Sequence, residues 1–361
     1  MIAFLIVFIV VVCIVQARSM RGRALRDISY SFAYSKRLAE PDEELELVAV
    51  ITNESRRIVP FISLEESLPK EINVLHKDAK LRPGGSGGIK HCYSVYLMPR
   101  STLERRVSVS FPKRGLYRCY GAEMVCGDFL GLSGDWKHFH SIVDIVIYPG
   151  AASFEKLESI LGGFFGDMSV RRFIMEDPVL TVGAREYTGA EPFRQISWNH
   201  SARTARLMVK QFDYTVEPIV SVVLDVNTLA VGDERERLIE HCFSLARSVC
   251  EMLERKGIPY DFISNATTGN ALSVWSYIGE GLGNAHLFSI LEGLGRASLK
   301  PRENFTATIE KMKRNVEGNR SVICIMPERN AEKQQLAQSL TELRGGALQF
   351  IYGEDVNDLG A

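Results

Sequence analysis

The sequence predicts an antiparallel β-sandwich followed by a doubly wound α/β unit with a largely parallel sheet, preceded by one N-terminal transmembrane helix. Three patterns support this fold class. Residues 1–15 are apolar without interruption, residues 29–150 contain short strand-like runs separated by turn residues, and residues 217–361 alternate β-rich runs with helical ones. A chain of 361 residues is long enough for two domains of ordinary size.

The N-terminal run MIAFLIVFIVVVCIV is followed by a basic flank that contains Arg18, Arg21, Arg23 and Arg26. As a helix the run spans about 22 Å, and Gln16, Ala17 and snorkelling arginines extend it towards the roughly 30 Å of a bilayer core. We therefore expect residues 1–17 to form a single transmembrane helix, with a buried core helix as the alternative. Because the basic flank follows the run, the positive-inside rule places the remaining chain in the cytoplasm, anchored to the cell membrane.

Residues 29–150 carry the strand signals of the predicted β-sandwich. Six segments alternate or are rich in β-branched residues, namely 44–53, 58–66, 91–99, 105–112, 116–126 and 141–149. Recurring strands with turn signals and no long helical pattern indicate a small antiparallel sandwich. The consecutive acids Glu43-Glu44 and Glu65-Glu66 point to opposite faces of a strand, and we expect them to be solvated.

Residues 151–182 are predicted to be a linker or hinge, because Gly162, Gly163 and Gly166 weaken any long helix there. After them, residues 218–226 form a nearly continuous apolar run, as expected of a strand covered on both faces. Helical periodicity at 234–257, 285–297, 305–316 and 331–346 then alternates with strand signals at 258–266, 273–279, 321–327 and 347–353. Such alternation predicts the doubly wound α/β unit at residues 217–361.

The composition excludes some classes of partner. The formal charge of -1 and the pI of about 6.7 give no basic field for nucleic acid. The seven cysteines are an odd number with no C-x-x-C pair, which indicates buried thiols in a reducing compartment and no disulfide framework or zinc site.

Charged and aromatic residues are densest in residues 183–216, just before the apolar strand. The candidate functional residues are Arg185, Glu186, Tyr187, Glu191, Arg194, Trp198 and Arg203. They form either a structural brace of arginines on carboxylates and carbonyls, or a face that binds a protein partner. We expect a mixture, in which Trp198 and Arg203 hold the segment against the α/β unit while Arg185 and Arg194 face outward.

This segment resembles the signature of the domain-of-unknown-function 58 family, which is approximately R-E-Y-x-x-G-D-x-x-R-x-I-x-W-x-x-[ST]-A-R. The residues that match are Arg185-Glu186-Tyr187, Arg194, Ile196, Trp198 and Ser201-Ala202-Arg203. The chain departs from the pattern at Ala190-Glu191, where the family has Gly-Asp, so the acid is kept and the glycine of a tight turn is lost. Residues 113–117 and 128–132 also resemble family motifs, the latter without the family's proline.

The resemblance implies a von Willebrand factor A-like fold for residues 217–361 and a role beside a MoxR-type AAA+ ATPase in assembly or maturation of other complexes. In such a fold the strand that ends at Asp225 carries D-x-S-x-S and binds a divalent cation. Here Asn227 and Leu229 replace the two serines, and Pro327-Glu328 stands where a second carboxylate is expected. We therefore expect neither metal nor cofactor, with Asp225 and Asn227 as the remnant of a metal site.

No enzyme signature stands out in the sequence. His200-Ser201 lacks a G-x-S-x-G elbow, and neither a Walker loop nor H-E-x-x-H is present. The function we expect is a membrane-anchored, cytoplasm-facing, non-enzymatic module that binds a protein partner. Two alternatives remain open: a metal-dependent adhesion module with a divalent cation at Asp225, and a hydrolase whose nucleophile, base and orienting group converge in the fold.

Overall fold

The computed structural model describes residues 4, 6, 8–12, 14, 25–76, 79–85, 88–127, 134–174, 181–189, 191–212, 219–268, 277–315, 320–344 and 346–356. The chain divides into two compact units. The β unit comprises Met1–Gly150 and Leu294–Arg296, and the α/β unit comprises Ala151–Gly293 and Ala297–Ala361. The predicted combination of a β-sandwich with an α/β unit that contains a parallel sheet is therefore confirmed.

About half of the predicted transmembrane helix at residues 1–17 lies outside the described residues. Phe4, Ile6, residues 8–12 and Ile14 are described, and they are helical and exposed. Within the described part of the chain, no helix is both long and apolar enough to cross a bilayer. The membrane anchor therefore stays a prediction.

The β unit is built from short strands in three sheets. The strands are β1 (Ile28–Tyr34), β2 (Leu38–Ala39), β3 (Leu45–Asn53), β4 (Val59–Leu68), β5 (Asn73–Val74), β6 (Lys80–Pro83), β7 (Ile89–Leu97), β8 (Thr102–Ser110), β9 (Gly115–Cys119), β10 (Ala122–Gly127), β11 (Gly134–Phe139) and β12 (Val143–Ile147). The sheet orders are β1-β3-β8-β5, β11-β10-β4-β7-β6 and β2-β12-β9. Neighbouring strands are antiparallel, apart from the parallel pair β2 and β12.

The sheets of the β unit share one apolar core. Along β1 and β3 buried residues alternate with more exposed ones, as a strand with one covered face requires. Ile51 on β3, Ile62 on β4 and Ile145 on β12 come from three different sheets, and all are fully buried in the same cluster. Burial of the inward positions is therefore what holds this sandwich together.

The α/β unit begins with a helix and a small hairpin, followed by alternating strands and helices. Its helices are α1 (Phe154–Ile174), α2 (Trp198–Thr204), α3 (Gly232–Lys256), α4 (Asn284–Arg296), α5 (Phe305–Asn315) and α6 (Ala331–Arg344). Its strands are β13 (Thr181–Glu186), β14 (Met208–Phe212), β15 (Ile219–Leu224), β16 (Tyr260–Ser264), β17 (Ala266–Thr268), β18 (Tyr277–Gly281), β19 (Ala297–Pro301), β20 (Arg320–Met326) and β21 (Leu348–Tyr352). Short 3-10 turns lie at Phe193–Gln195 and Glu354–Val356.

The main sheet of the α/β unit has the order β18-β16-β15-β20-β21. Strands β16, β15, β20 and β21 run parallel, and β18 is an antiparallel edge strand. The chain leaves β15 to one side for β16 and later returns to its other side for β20. The carboxyl end of β15 is thus a topological switch point, the place where open α/β sheets bind ligands.

Helix α1 occupies the stretch where the sequence predicts a linker or hinge. Leu157, Leu161, Phe164 and Met168 recur at helical spacing and are buried. The glycines at 162, 163 and 166 lie on the opposite, exposed side. Burial of the apolar stripe therefore outweighs the low helix propensity of glycine, so a long helix forms despite the three glycines. The linker or hinge at residues 151–182 stays a prediction.

Candidate functional site

The candidate segment at residues 183–212 forms a small folded module around the hairpin of β13 and β14. Arg185 pairs with Val209 and Glu186 with Met208 across the hairpin, and Ile196 forms a bridge to the other side of Val209. Ile196 and Val209 are both buried. The module therefore has an apolar centre of its own within a segment rich in charged and aromatic residues.

Ser201 fastens helix α2 to β14. Its hydroxyl accepts a hydrogen bond from the Met208 amide at 2.8 Å and donates one to the Ser197 carbonyl at 2.8 Å. The Ser197 amide in turn donates to the Met208 carbonyl at 2.8 Å. The serine of the S-A-R motif thus supports the module structurally, because it satisfies backbone groups at both ends of the turn.

Arg185 and Glu191 close the loop that leads into the 3-10 turn. Their side chains form an ion pair at 2.6 Å, and Glu191 also accepts from the Thr188 hydroxyl at 2.8 Å and the Thr188 amide at 3.1 Å. These donors, first of all the Thr188 hydroxyl, lower the pKa of Glu191 to about 2. Gly189 adopts a φ of 93°, a backbone conformation that glycine tolerates more readily than other residues.

Other candidate residues lie on the outer face of the module. Trp198 is 67% exposed and Phe193 is 72% exposed, while Arg194 and Arg203 are also exposed. Glu186 forms an exposed ion pair with Arg206 at 2.5 Å, and the Tyr187 ring lies 6.2 Å from that of Phe193. The sequence predicts that Trp198 and Arg203 hold the segment against the α/β unit, but the contacts that hold the module together are those of Ile196, Val209 and Ser201. Arg194 faces outward as expected.

His200 is paired with Ser197 and not with the adjacent Ser201. The distance from Ser197 Oγ, just before α2, to His200 Nδ1 in its first turn is 3.0 Å. Among the described residues, no carboxylate hydrogen-bonds to His200 as the orienting member of a triad would. Ser201, in contrast, is bonded to backbone groups of Ser197 and Met208.

A second polar cluster lies at the switch point of the main sheet, around Asp225. This residue directly follows β15 and is fully buried. Its Oδ1 atom accepts from the Asn227 amide at 2.9 Å and from Nδ2 of Asn265 at 2.6 Å, and its Oδ2 atom accepts from Nζ of Lys333 at 2.5 Å. Asp225 thus lies at the carboxyl end of the strand, as the sequence predicts, with both of its oxygens engaged.

The loop after Asp225 is fixed by further polar contacts. Lys333 Nζ also donates to the Asn227 carbonyl at 2.8 Å, and the Leu229 amide donates to Oε1 of Glu328 at 2.9 Å. Leu229 and Val231 are 87% and 82% exposed. The loop therefore presents two apolar side chains outward from a polar base.

The residues around Asp225 do not fit a divalent cation. Calcium and magnesium need about six or more oxygen ligands, and here Asn227 and Asn265 turn N–H donors towards the carboxylate while Lys333 contributes an ammonium. In the described part of the chain, no three His, Cys, Asp or Glu side chains converge as a metal site requires. Lysine 333 is the residue that sequence reasoning missed; it lies 108 positions from Asp225.

The β unit contains a buried cluster around Glu66 that the sequence interpretation also missed. Oε1 of Glu66 accepts from the hydroxyls of Tyr30 at 2.8 Å and Tyr93 at 2.6 Å, and Oε2 lies 2.9 Å from Nδ1 of His91. The expectation that Glu66 is solvated is wrong, because it shares the inward side of β4 with Ile62 and Leu64. That alternation was readable in the sequence. Burial, with the nearby Glu66 carboxylate, raises the pKa of both tyrosines.

The buried cysteines have no sign of reactivity. Cys242, Cys250 and Cys324 are fully buried, as predicted from their apolar faces. Burial raises the pKa of each thiol, so little thiolate forms. Cys13 lies outside the described residues.

Comparison with known proteins identifies no family. No family model matches the chain, and no curated protein matches it. Among solved structures, a cohesin module of a family 33 glycoside hydrolase from Clostridium perfringens shares 11% identity at a TM-score of 0.23, covering 33% of this chain and 96% of its own. A cohesin from Archaeoglobus fulgidus shares 14% at 0.23, covering 36% and 96%, and a CARDB domain from Pyrococcus furiosus shares 12% at 0.22, covering 34% and 90%.

Proposed function

We propose that this chain is a membrane-anchored, non-enzymatic module that binds a protein partner through the outer face of residues 193–203. The observation that carries the proposal is the separation of roles within the hairpin module. Ile196, Ser201 and Val209 hold the module together, whereas Phe193 and Trp198 are exposed without contributing to its apolar centre. Large aromatic side chains on a rigid support are costly to leave in water and are typical anchors of interfaces.

The arginines support the same proposal. Arg194 and Arg203 are exposed in the same segment as these aromatic residues. Arginine, tryptophan and tyrosine are the residue types that most often dominate the binding energy of an interface. The partner we propose is a MoxR-type AAA+ ATPase, which follows from the resemblance to the domain-of-unknown-function 58 family, and the α/β unit is then von Willebrand factor A-like. Residues 1–17 would anchor the protein in the cell membrane with both units in the cytoplasm.

Co-purification of the detergent-solubilised full chain with a MoxR-type ATPase from the same genome tests the proposal. We expect Trp198→Ala to reduce the retained ATPase by about tenfold or more, as for the loss of an interface anchor. Trp136→Ala is the matched control, because Trp136 is 76% exposed in the β unit. Equal retention by both variants, or no retention by the wild-type chain, contradicts the proposal.

A further inference from the structure

We propose that Lys333 is the built-in cation of the switch-point site, a side-chain ammonium that holds Asp225 and the loop after it in the way a divalent metal ion holds such a loop elsewhere. The loop after β15 is therefore held in place by Lys333 without a metal ion. The inference rests on the described contacts of Asp225 and Lys333, and it holds whichever partner the chain binds.

The charge balance requires a cation at this place. Asp225 is fully buried, and the Lys333 side chain is only 17% exposed. A buried carboxylate without a positive partner is strongly unfavourable, and the same is true of a buried ammonium. Their contact at 2.5 Å is the arrangement that makes both charges tolerable.

The position of Lys333 on its helix is unfavourable except for this contact. Lys333 lies in the first turn of α6, and its amide donates to the Asn330 side chain at 3.2 Å. The N-terminal end of a helix carries partial positive charge and favours anions, so an ammonium there is repelled by the helix. The contact with Asp225 offsets that repulsion, so a lysine is tolerated at this position of the helix.

The geometry links two parts of the fold in the manner of a metal ion. The ammonium contacts a carboxylate oxygen of Asp225 and the Asn227 carbonyl at 2.8 Å, so α6 is tied to the loop after β15. The Nζ atom also lies 5.9 Å from the ring of the buried Phe305. Because Oδ1 of Asp225 is already bonded to two N–H donors, a metal could enter only by displacing these groups and the lysine.

The first test is the cation dependence of the full chain in detergent, measured by thermal melting and by hydrogen exchange of residues 225–231. We expect the wild-type protein to give the same melting temperature and exchange with a chelator as with millimolar magnesium, manganese or calcium. Protection or a higher melting temperature on adding any of these ions overturns the proposal.

The second test removes the ammonium and returns it in solution. Lys333→Ala should lower the melting temperature of the α/β unit by about 10 °C, since one buried charge loses its partner. Propylammonium, which supplies the missing atoms, should restore part of the loss, whereas sodium at equal ionic strength should not. Lys313→Ala is the control, because Lys313 is an exposed lysine on α5 whose Nζ donates to the Ser339 hydroxyl at 3.2 Å. Its melting temperature should fall far less than that of Lys333→Ala. A Lys333→Ala protein that melts as wild type overturns the proposal.

A third variant keeps the proposal testable if Lys333→Ala does not fold. The double variant Asp225→Asn with Lys333→Met removes both charges at once. It should fold and melt closer to wild type than either single variant, because no unpaired charge remains buried. Additive losses in the double variant mean that the two residues are not coupled, and they contradict the assignment.

Discussion

Arg320 and Asp261 form an ion pair that crosses the central strand of the main sheet. Nη1 of Arg320, on β20, lies 2.6 Å from Oδ2 of Asp261, on β16, and the Ser221 hydroxyl of the intervening β15 donates to the same oxygen at 3.1 Å. The pair joins three strands at their amino-terminal ends, while the pair of Asp225 and Lys333 lies near the carboxyl ends. Polar contacts therefore lie at both the amino-terminal and the carboxyl-terminal ends of the strands of a mostly apolar sheet.

The raised pKa of Asp261 predicts that the stability of the fold depends on pH. Its burial raises its pKa from 3.8 to about 6, against the opposing effects of Ser221 and Arg320. Between these two values the folded chain holds a proton that the unfolded chain has released. The stabilising contribution of that proton is fully present below pH 3.8 and is lost as the pH rises through about 6. At about 1.4 kcal/mol per pKa unit, the change is at most about 3 kcal/mol.

Urea denaturation of Asp261→Asn and wild type between pH 4 and pH 7 measures this change. Relative to wild type, the variant should gain up to about 3 kcal/mol across this window, because it cannot lose a proton. Glu280→Gln is the comparison variant, since Glu280 is more exposed and contacts the same arginine at 2.9 Å. It should keep most of the pH dependence, because burial is a larger cause of the raised Asp261 pKa than the Glu280 charge. A pH dependence that is identical in wild type and Asp261→Asn contradicts the prediction.

The buried contacts of Glu66 predict that its loss destabilises the β unit. Glu66→Ala leaves the donors of Tyr30, Tyr93 and His91 without their acceptor in the core, which should cost about 3–5 kcal/mol. Tyr93→Phe removes one donor and should cost only about 1 kcal/mol. Chemical denaturation of the β unit measures both values.

Glu65→Ala is the matched control for Glu66→Ala. Glu65 is adjacent in sequence, points to the opposite face of β4 and forms an ion pair with Lys90 at 2.8 Å. Loss of that partly exposed pair should cost less than about 1 kcal/mol. If the two variants lose equal stability, the cluster is not the source of the effect.

The predicted membrane anchor is tested by topology. A reporter fused after Ala361 should show cytoplasmic activity, because the basic residues follow the apolar run. Deletion of residues 1–24 should release the chain from the membrane fraction, since the strands and helices of both units bury their apolar residues in their own cores. A reporter active only outside the cytoplasm contradicts the proposed orientation and the proposed ATPase partner.

Part of the order of strands and helices could be predicted from local pattern, because alternation and helical spacing record which face is buried. The strand ending before Asp225 and the helix at 285–297, observed at Asn284–Arg296, are examples. Relationships between distant residues could not be predicted. Nothing near Lys333 in the sequence indicates that its ammonium reaches Asp225, and a polar stretch such as residues 183–212 hides the pairing of Ile196 with Val209. Contacts of this kind depend on which distant segments the fold brings together, and a local sequence pattern does not contain that information.

In the hairpin module, substitutions at buried positions should lower stability, whereas substitutions at exposed positions should leave it almost unchanged. Ile196→Ala removes a buried side chain and should cost about 2–4 kcal/mol of unfolding free energy, and Ser201→Ala should cost about 1–3 kcal/mol because the Met208 amide loses its acceptor. Trp198→Ala should change stability by less than about 0.5 kcal/mol, since its side chain is mostly in water. Hydrogen exchange of residues 196–212 reports the same difference locally: faster exchange in Ile196→Ala, and unchanged exchange in Trp198→Ala. If Trp198→Ala destabilises the module as much as Ile196→Ala does, Trp198 is a structural residue, and the partner-binding face must be sought elsewhere on the chain.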